Sequence, residues 1–299
     1  LEGAQVAVQL VSVAIGSLAM LACLLIAPRL FRDRAVGLTF VIGLFLGGYS
    51  LQFVGYVENY AAFIALVIVF TLLGTYVTRE PGKRWWLLPV AAGAAIMHIL
   101  AVTLVPALLY ALFAPTAIGR RIARMSAGAM LLAVLITGGV ATLVLHVVAS
   151  ANFFAHYSLV PLVAEYFTPD RYSLFSSAHL LDVANLLLLV CPPLLLVGGL
   201  VAVDRRHLKL ADPTTMFLSL ASLSTVGTMF LLDPKLGMAR DWDLFSFAGI
   251  PLVALVFYVL VEKREHPVVR QSLMLALVLC LLTILPRIVT LSSVEQSVT

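Results

Sequence analysis

The sequence predicts an all-α, polytopic bundle of about ten transmembrane helices, and three observations carry that prediction. Mean hydropathy is +1.07, and 62% of residues are hydrophobic while 11% are charged, against about a quarter charged in a soluble domain. Apolar runs close to the roughly 20 residues needed to cross a bilayer recur along the whole chain. The basic residues fall in short groups between those runs, the pattern expected of loops that stay on one side of a membrane.

Taken in order, the runs give helices at residues 4–27, 36–54, 59–77, 125–149, 179–202, 213–232, 245–261 and 271–290. Residues 85–115 are too long for one crossing, and basic residues flank them at both ends: Lys83 and Arg84 before, Arg120 and Arg121 after. Both ends therefore belong on one side. A hairpin of two short helices, 85–98 and 100–114, turning at His98, meets that condition and completes the ten. Residues 1–299 thus read as a single transmembrane domain. The longest connection, residues 150–178, spaces Phe153, Phe154, Tyr157, Tyr166, Phe167, Tyr172 and Phe175 among polar residues. That suits a segment lying in the headgroup layer, although the aromatic belt of the flanking helices accounts for the same residues. Gly43, Gly47 and Gly48, and Ala91 with Ala95, offer small-residue faces for close helix packing.

Charge orients the bundle. Five alternate loops carry three basic residues each: Arg29, Arg32 and Arg34; Arg79, Lys83 and Arg84; Arg120, Arg121 and Arg124; Arg205, Arg206 and Lys209; Lys263, Arg264 and Arg270. Only Arg171, Lys235, Arg240 and Arg287 remain for the other side, which collects most of the acids. The basic side reads as cytoplasmic. With the cations grouped as short stops, the formal charge of +4 forms no continuous basic face, and nucleic acid is excluded as a partner. Cys23, Cys191 and Cys280 all sit inside apolar runs and read as small buried hydrophobes. Residues 1–27 do not read as a signal peptide, since no basic region precedes them and PRLFR follows. Both termini fall outside, and the chain reads as a fragment that lacks a first helix and a first outer loop.

Polar residues on the outer side come from four separated stretches. Arg240, Asp241, Trp242 and Asp243 place three ionisable groups around an indole at a membrane edge, where charge is costly; a solvated connector with one anchoring Trp is the plain alternative. Tyr56, Glu58, Asn59 and Tyr60 follow at another turn. A carboxylate there can bind metal, accept a proton or orient a hydroxyl, or simply cap the next helix. His179, Asp182 and Asn185 recur every third residue and lie near one face of a helix, facing a cavity or tying two helices together. His98 is the fourth group, and a lone histidine at a turn also has a purely structural use. Carboxylates beside an arginine suit a phosphate leaving group, held directly or through a divalent cation such as Mg or Mn, with Glu58, Asp241 and Asp243 as candidate metal ligands. An aromatic outer segment suits a lipid chain.

The order of these features resembles the GT-C class of integral-membrane glycosyltransferases, which use polyprenyl-linked sugar donors. The resemblance rests on a helix ending in APRLFRDR, a helix leading to GGYSLQFVGYVENY, a basic stop, and the hairpin AAGAAIMHILAVTLVPALLYAL. It implies transfer of a sugar from a polyprenyl-phosphate donor to an acceptor hydroxyl on the outer face of a bacterial inner membrane. Glu58 matches a second acidic residue near the donor phosphate in several members. The class carries its catalytic acid in the first outer loop, before the point where this sequence begins. The resemblance therefore leaves donor binding and orientation to Glu58 and Arg240, then to Asp241, Asp243, Tyr56, Asn59, His98, His179, Asp182, Asn185 and Trp242. The catalytic candidates are Asp241, Asp243 and Glu58. A transporter, lipid flippase or non-catalytic subunit is the rival reading, and the Pro192–Pro193 pair is its best sequence sign, as a break within a helix.

Overall fold

A computed structural model describes residues 2–54, 60–113, 147, 158–163, 172–196, 212–234, 237–238 and 240–292, and the regular structure among them is helical. The helices are α1 (Glu2–Leu30), α2 (Arg34–Phe45), α3 (Ala61–Val77), α4 (Leu87–Met97), α5 (Val105–Phe113), α6 (Ser177–Val190), α7 (Pro213–Leu231), α8 (Gly249–Glu262) and α9 (Pro267–Ser292). Short 3-10 turns at Gly48–Phe53, Pro81–Trp86 and Ile99–Leu104 join some of them, and Trp242–Phe245 with Ser246–Ala248 lead into α8. Extended pairing among the described residues is limited to one antiparallel bridge between Leu159 and Leu232.

Four stretches are long and apolar enough to cross a membrane: Gly3–Leu30, Pro213–Leu231, Trp242–Glu262 and Pro267–Thr290. They make this an integral membrane protein. The other described helices are apolar but shorter, and four is the number of spanning length among the described residues. Residues 125–149 lie outside them. Two interruptions have clear causes. The run expected at 36–54 stops at Phe45, where Gly47 turns extended and Gly48 sits so close to the Leu189 carbonyl that a Cβ would lie 2.6 Å from its oxygen. The Tyr49 hydroxyl then donates to the Leu44 carbonyl, satisfying one acceptor exposed by the helix end. The run expected at 179–202 stops at Val190. Pro192 and Pro193 lack the N–H groups that would continue it, and Cys191 before them has left the helical conformation at φ −139°, ψ 69°.

The hairpin is present as expected: α4 ends at Met97, His98 is extended, and the chain returns through Ile99–Leu104 into α5. Helix α1 packs on α2 and α3, α7 on α5 and α8, and α8 also touches α2, α3 and α9. Close approach depends on small residues. Ser12, Gly16, Ala19, Cys23 and Ala27 form the buried seam of α1. A Cβ on Gly43 would fall 2.4 Å from the Phe257 ring.

The two ends of the bundle differ. At one end Arg79 pairs with Glu262 at 2.5 Å, donates to the Tyr258 hydroxyl at 3.0 Å and to the Leu30 carbonyl, and lies over the Phe31 ring. Tyr258 in turn donates to Asp212 at 2.9 Å, and Asp212 caps α7 by accepting from the Thr215 N–H. Arg264 reaches Asp33 at 3.5 Å. Three of the five basic loops, those of Arg29, Arg79 and Arg264, thus have described residues at or beside this end. Arg79 and Arg264 are cross-braces here, where the sequence suggested plain solvated stops.

Candidate functional site at the acidic end

At the opposite end, the link between α7 and α8 is wound tightly before the Asp-Trp-Asp stretch. Gly237 has φ +84°, a left-handed value that favours glycine. Its carbonyl accepts from the N–H groups of both Arg240 and Asp241, at 2.9 and 3.0 Å. Asp241 then opens the turn Trp242–Phe245 and accepts the Phe245 N–H at 3.3 Å through its main-chain carbonyl. This winding separates groups that are adjacent in sequence. Arg240 is exposed, Asp241 and Trp242 are half-buried, and Asp243 is only 7% exposed. The Asp243 Oδ1 accepts from the Leu244 N–H at 2.9 Å, and its main-chain carbonyl accepts from the Ser246 hydroxyl at 2.7 Å. No ion pair reaches the Asp243 carboxylate among the described residues.

His98 belongs to the same end. Its ring lies 5.1 Å from Phe63 and 5.6 Å from Tyr60, and Phe63 packs at 5.7 Å on Phe247, four residues beyond Asp243. Its Nδ1 accepts from the Leu100 N–H at 3.2 Å, which makes it the cap of the returning 3-10 turn. Tyr56, Glu58 and Asn59 lie outside the described residues, so their relation to Asp241 and Asp243 is not described either. Just before them, Ser50 and Gln52 in the Gly48–Phe53 turn are buried, and their side-chain polar atoms have no hydrogen-bond partner among the described residues. Nothing in the sequence pattern singled them out.

The third stretch is resolved into a network. Ser176 caps α6 by accepting the His179 N–H, which sets His179 on the first turn, fully buried. Its Nε2 lies 2.9 Å from the Phe230 carbonyl at the end of α7, and its Nδ1 lies 2.9 Å from the Tyr172 hydroxyl. That hydroxyl is also 3.1 Å from Asp182 Oδ2. Burial, with Asp182 beside it, pushes the Tyr172 phenol well above its ordinary range. Asn185 does not join, and its side chain is exposed. At 100° per residue, a three-residue step slips by 60°, so Asn185 stands about 120° round from His179. Tyr172, which the sequence offered only as an interfacial aromatic, is the bridge. Of the other aromatics in that connection, Phe175 is exposed and packs on Phe230 at 6.2 Å. Phe153, Phe154, Tyr157, Tyr166 and Phe167 lie outside the described residues.

Among the described residues, no three His, Cys, Asp or Glu side chains come together tightly enough to hold a metal ion. Glu58, one of the three candidate ligands, lies beyond that test. Comparison with protein-family models, with curated proteins and with solved structures returns no match. What fold and site define is a class: an all-helical integral membrane protein, braced by ion pairs at its basic end and carrying at the other a buried carboxylate without an ion pair among the described residues.

Proposed function

We propose that this protein is a membrane glycosyltransferase of GT-C type, using a polyprenyl-phosphate-linked sugar at the acidic end of the bundle, on the outer face of a bacterial inner membrane. The observation that carries the reading is Asp243. A carboxylate buried at the mouth of a membrane helix, with main-chain N–H groups as its hydrogen-bond donors and no cation beside it among the described residues, costs several kcal/mol on the order given by burial of charge. Folding alone gains nothing from it. In the proposed reaction the acceptor hydroxyl attacks the anomeric carbon, the bond from that carbon to the lipid phosphate breaks, and a carboxylate takes the hydroxyl proton. Asp243 and Asp241 are the carboxylates in hand, with Glu58 as a third candidate. The exposed Arg240 suits the departing phosphate. A divalent cation, Mg or Mn, would serve the same phosphate if Glu58 joins the two aspartates.

A second reading has its own observation. The break of α6 at Cys191, with Pro192 and Pro193 beyond it and the Val190 and Cys191 side chains fully buried, is the kind of interrupted helix found at transport sites. Proteoliposomes separate the two. Turnover of a polyprenyl-phosphate sugar that falls at least about 100-fold in Asp243→Asn, Asp241→Asn and Glu58→Gln supports the transferase. No donor consumption, together with substrate flux altered in the same variants, replaces it with the transporter.

A further inference from the structure

The Tyr172, His179 and Asp182 contacts can be counted proton by proton, and the count does not close with ordinary ionisation states. The Phe230 carbonyl can only accept, so the His179 Nε2 must carry a hydrogen. Two further contacts remain, Nδ1 to the Tyr172 oxygen at 2.9 Å and that oxygen to Asp182 Oδ2 at 3.1 Å. Each needs a hydrogen between its atoms, and the phenol supplies one. A neutral imidazole facing an ionised Asp182 leaves one of the two contacts as a meeting of lone pairs.

We infer that Tyr172, His179 and Asp182 form a proton-binding site, filled by one proton on acidification, which fastens the 172–176 turn to the ends of α6 and α7. With the proton on Nδ1, the imidazolium donates to the Phe230 carbonyl and to the Tyr172 oxygen, and Tyr172 donates to Asp182. Both contacts are then complete. The pair of charges cancels, and the phenol, whose own proton is held firmly, links them. The groups that face the ring are Tyr172 from the turn, Asp182 from α6 itself, and the Phe230 carbonyl and Asp233 from the end of α7. Burial of the ring opposes the filled state, and the two carboxylates beside it among the described residues, Asp182 and Asp233, favour it.

The turn held by this site is also joined to α7 by a second route. Val160 N–H donates to Leu231, Asp233 N–H to Ser158, and Leu174 N–H to Pro161, at 2.9, 3.1 and 2.8 Å. Losing the proton therefore loosens one of two attachments of a strap that lies over the end of α7, where the chain runs on toward Asp241. This inference is independent of the proposed transferase activity.

The test needs no substrate. In nanodiscs, the His179 ring is followed by nitrogen-15 NMR while hydrogen exchange at residues 172–176 is measured between pH 5 and 8. We expect Nδ1 to gain a proton as pH falls, with exchange at 172–176, corrected for the intrinsic pH dependence of the chemistry, slowing at least about 10-fold over the same interval. Tyr172→Phe keeps the ring contact, 5.2 Å from His179, and removes the bridge. It should shift the His179 midpoint to lower pH and abolish the coupled slowing, as should Asp182→Asn. A His179 midpoint unchanged in both variants, or corrected exchange at 172–176 that is the same across the range in the wild type, overturns the inference.

Discussion

Replacing Gly74 by alanine tests the packing that brings α3 against α7. A Cβ at Gly74 would stand 1.9 Å from Cζ and 2.2 Å from Cε1 of Phe217. Non-bonded carbons settle at about 3.5 Å, so the ring has to retreat by about 1.5 Å. Phe217 is fully buried and already lies 5.7 Å from the Phe70 ring, and a close-packed interior holds no such space. Overpacking of this kind costs about 1–3 kcal/mol. The backing of a second aromatic puts Gly74→Ala in the upper half of that range. The three buried thiols, Cys23, Cys191 and Cys280, supply the assay, because a fluorogenic thiol reagent in detergent reacts as the bundle opens. At about 2–4 °C per kcal/mol, the midpoint should fall by about 4–12 °C. Phe217→Leu removes the offending ring edge, so the double variant should recover at least about 1 kcal/mol of the summed single losses. Gly227→Ala on α7 is the control. A Cβ there meets nothing within 4 Å, and helix propensity should raise stability by about 0.5–1 kcal/mol. A Gly74→Ala midpoint within 1 °C of wild type, or strict additivity with Phe217→Leu, would refute the close contact.

Asp243→Asn keeps the acceptor for the Leu244 N–H and removes a buried charge, so the thiol-exposure midpoint should hold or rise while donor turnover falls; a drop in both would make Asp243 structural. Asp212→Ala removes the acceptor of Thr215 N–H and of the Tyr258 hydroxyl and should cost about 2 kcal/mol, whereas Asp212→Asn should cost less than half as much, read from the same melts. Asn185→Ala, at an exposed position, should change stability by no more than about 0.5 kcal/mol, and a larger loss would place Asn185 in the His179 network after all.

The sequence made the helical class legible because hydropathy and loop charge act over whole segments. Its misreadings concern single positions where a local competitor wins. The run 36–54 is predominantly apolar, and nothing in its period shows that Gly48 must approach the Leu189 carbonyl, a contact between elements about 140 residues apart. The Pro192–Pro193 break was visible as a proline pair, because the missing donor is a property of the residue itself. Asp212-Pro213-Thr214-Thr215 is likewise a readable helix start, with an acceptor at the cap and proline at the first position. The apolar run alone places a helix at 213–232, and the cap at Asp212 is missed when loop charge is taken as a topology signal alone. Tyr172 was out of reach. A tyrosine in an aromatic-rich connection looks the same whether it lies in headgroups or links His179 to Asp182.

The two ends of the bundle use their polar groups differently, and that difference narrows where function belongs. At the basic end most described charges meet partners, with the buried Arg84 Nε as an exception: Arg79 with Glu262 and Tyr258, Arg264 with Asp33, Asp212 with the start of α7, and Lys83 with the Tyr76 hydroxyl at 2.6 Å. Those contacts recover part of the desolvation they incur, and they tie α1, α3, α7 and α8 together, which is a sufficient reason for their presence. At the acidic end, among the described residues, Asp243 lacks a cation, and the side chains of Ser50 and Gln52 lack a hydrogen-bond partner. An orphaned polar group costs about 1–3 kcal/mol with no return to the fold. A bundle of this composition could fill those positions with leucine and be more stable. Polar side chains kept at such a cost, at the end opposite the braces, are the groups for which a polar or charged ligand would supply the missing partner.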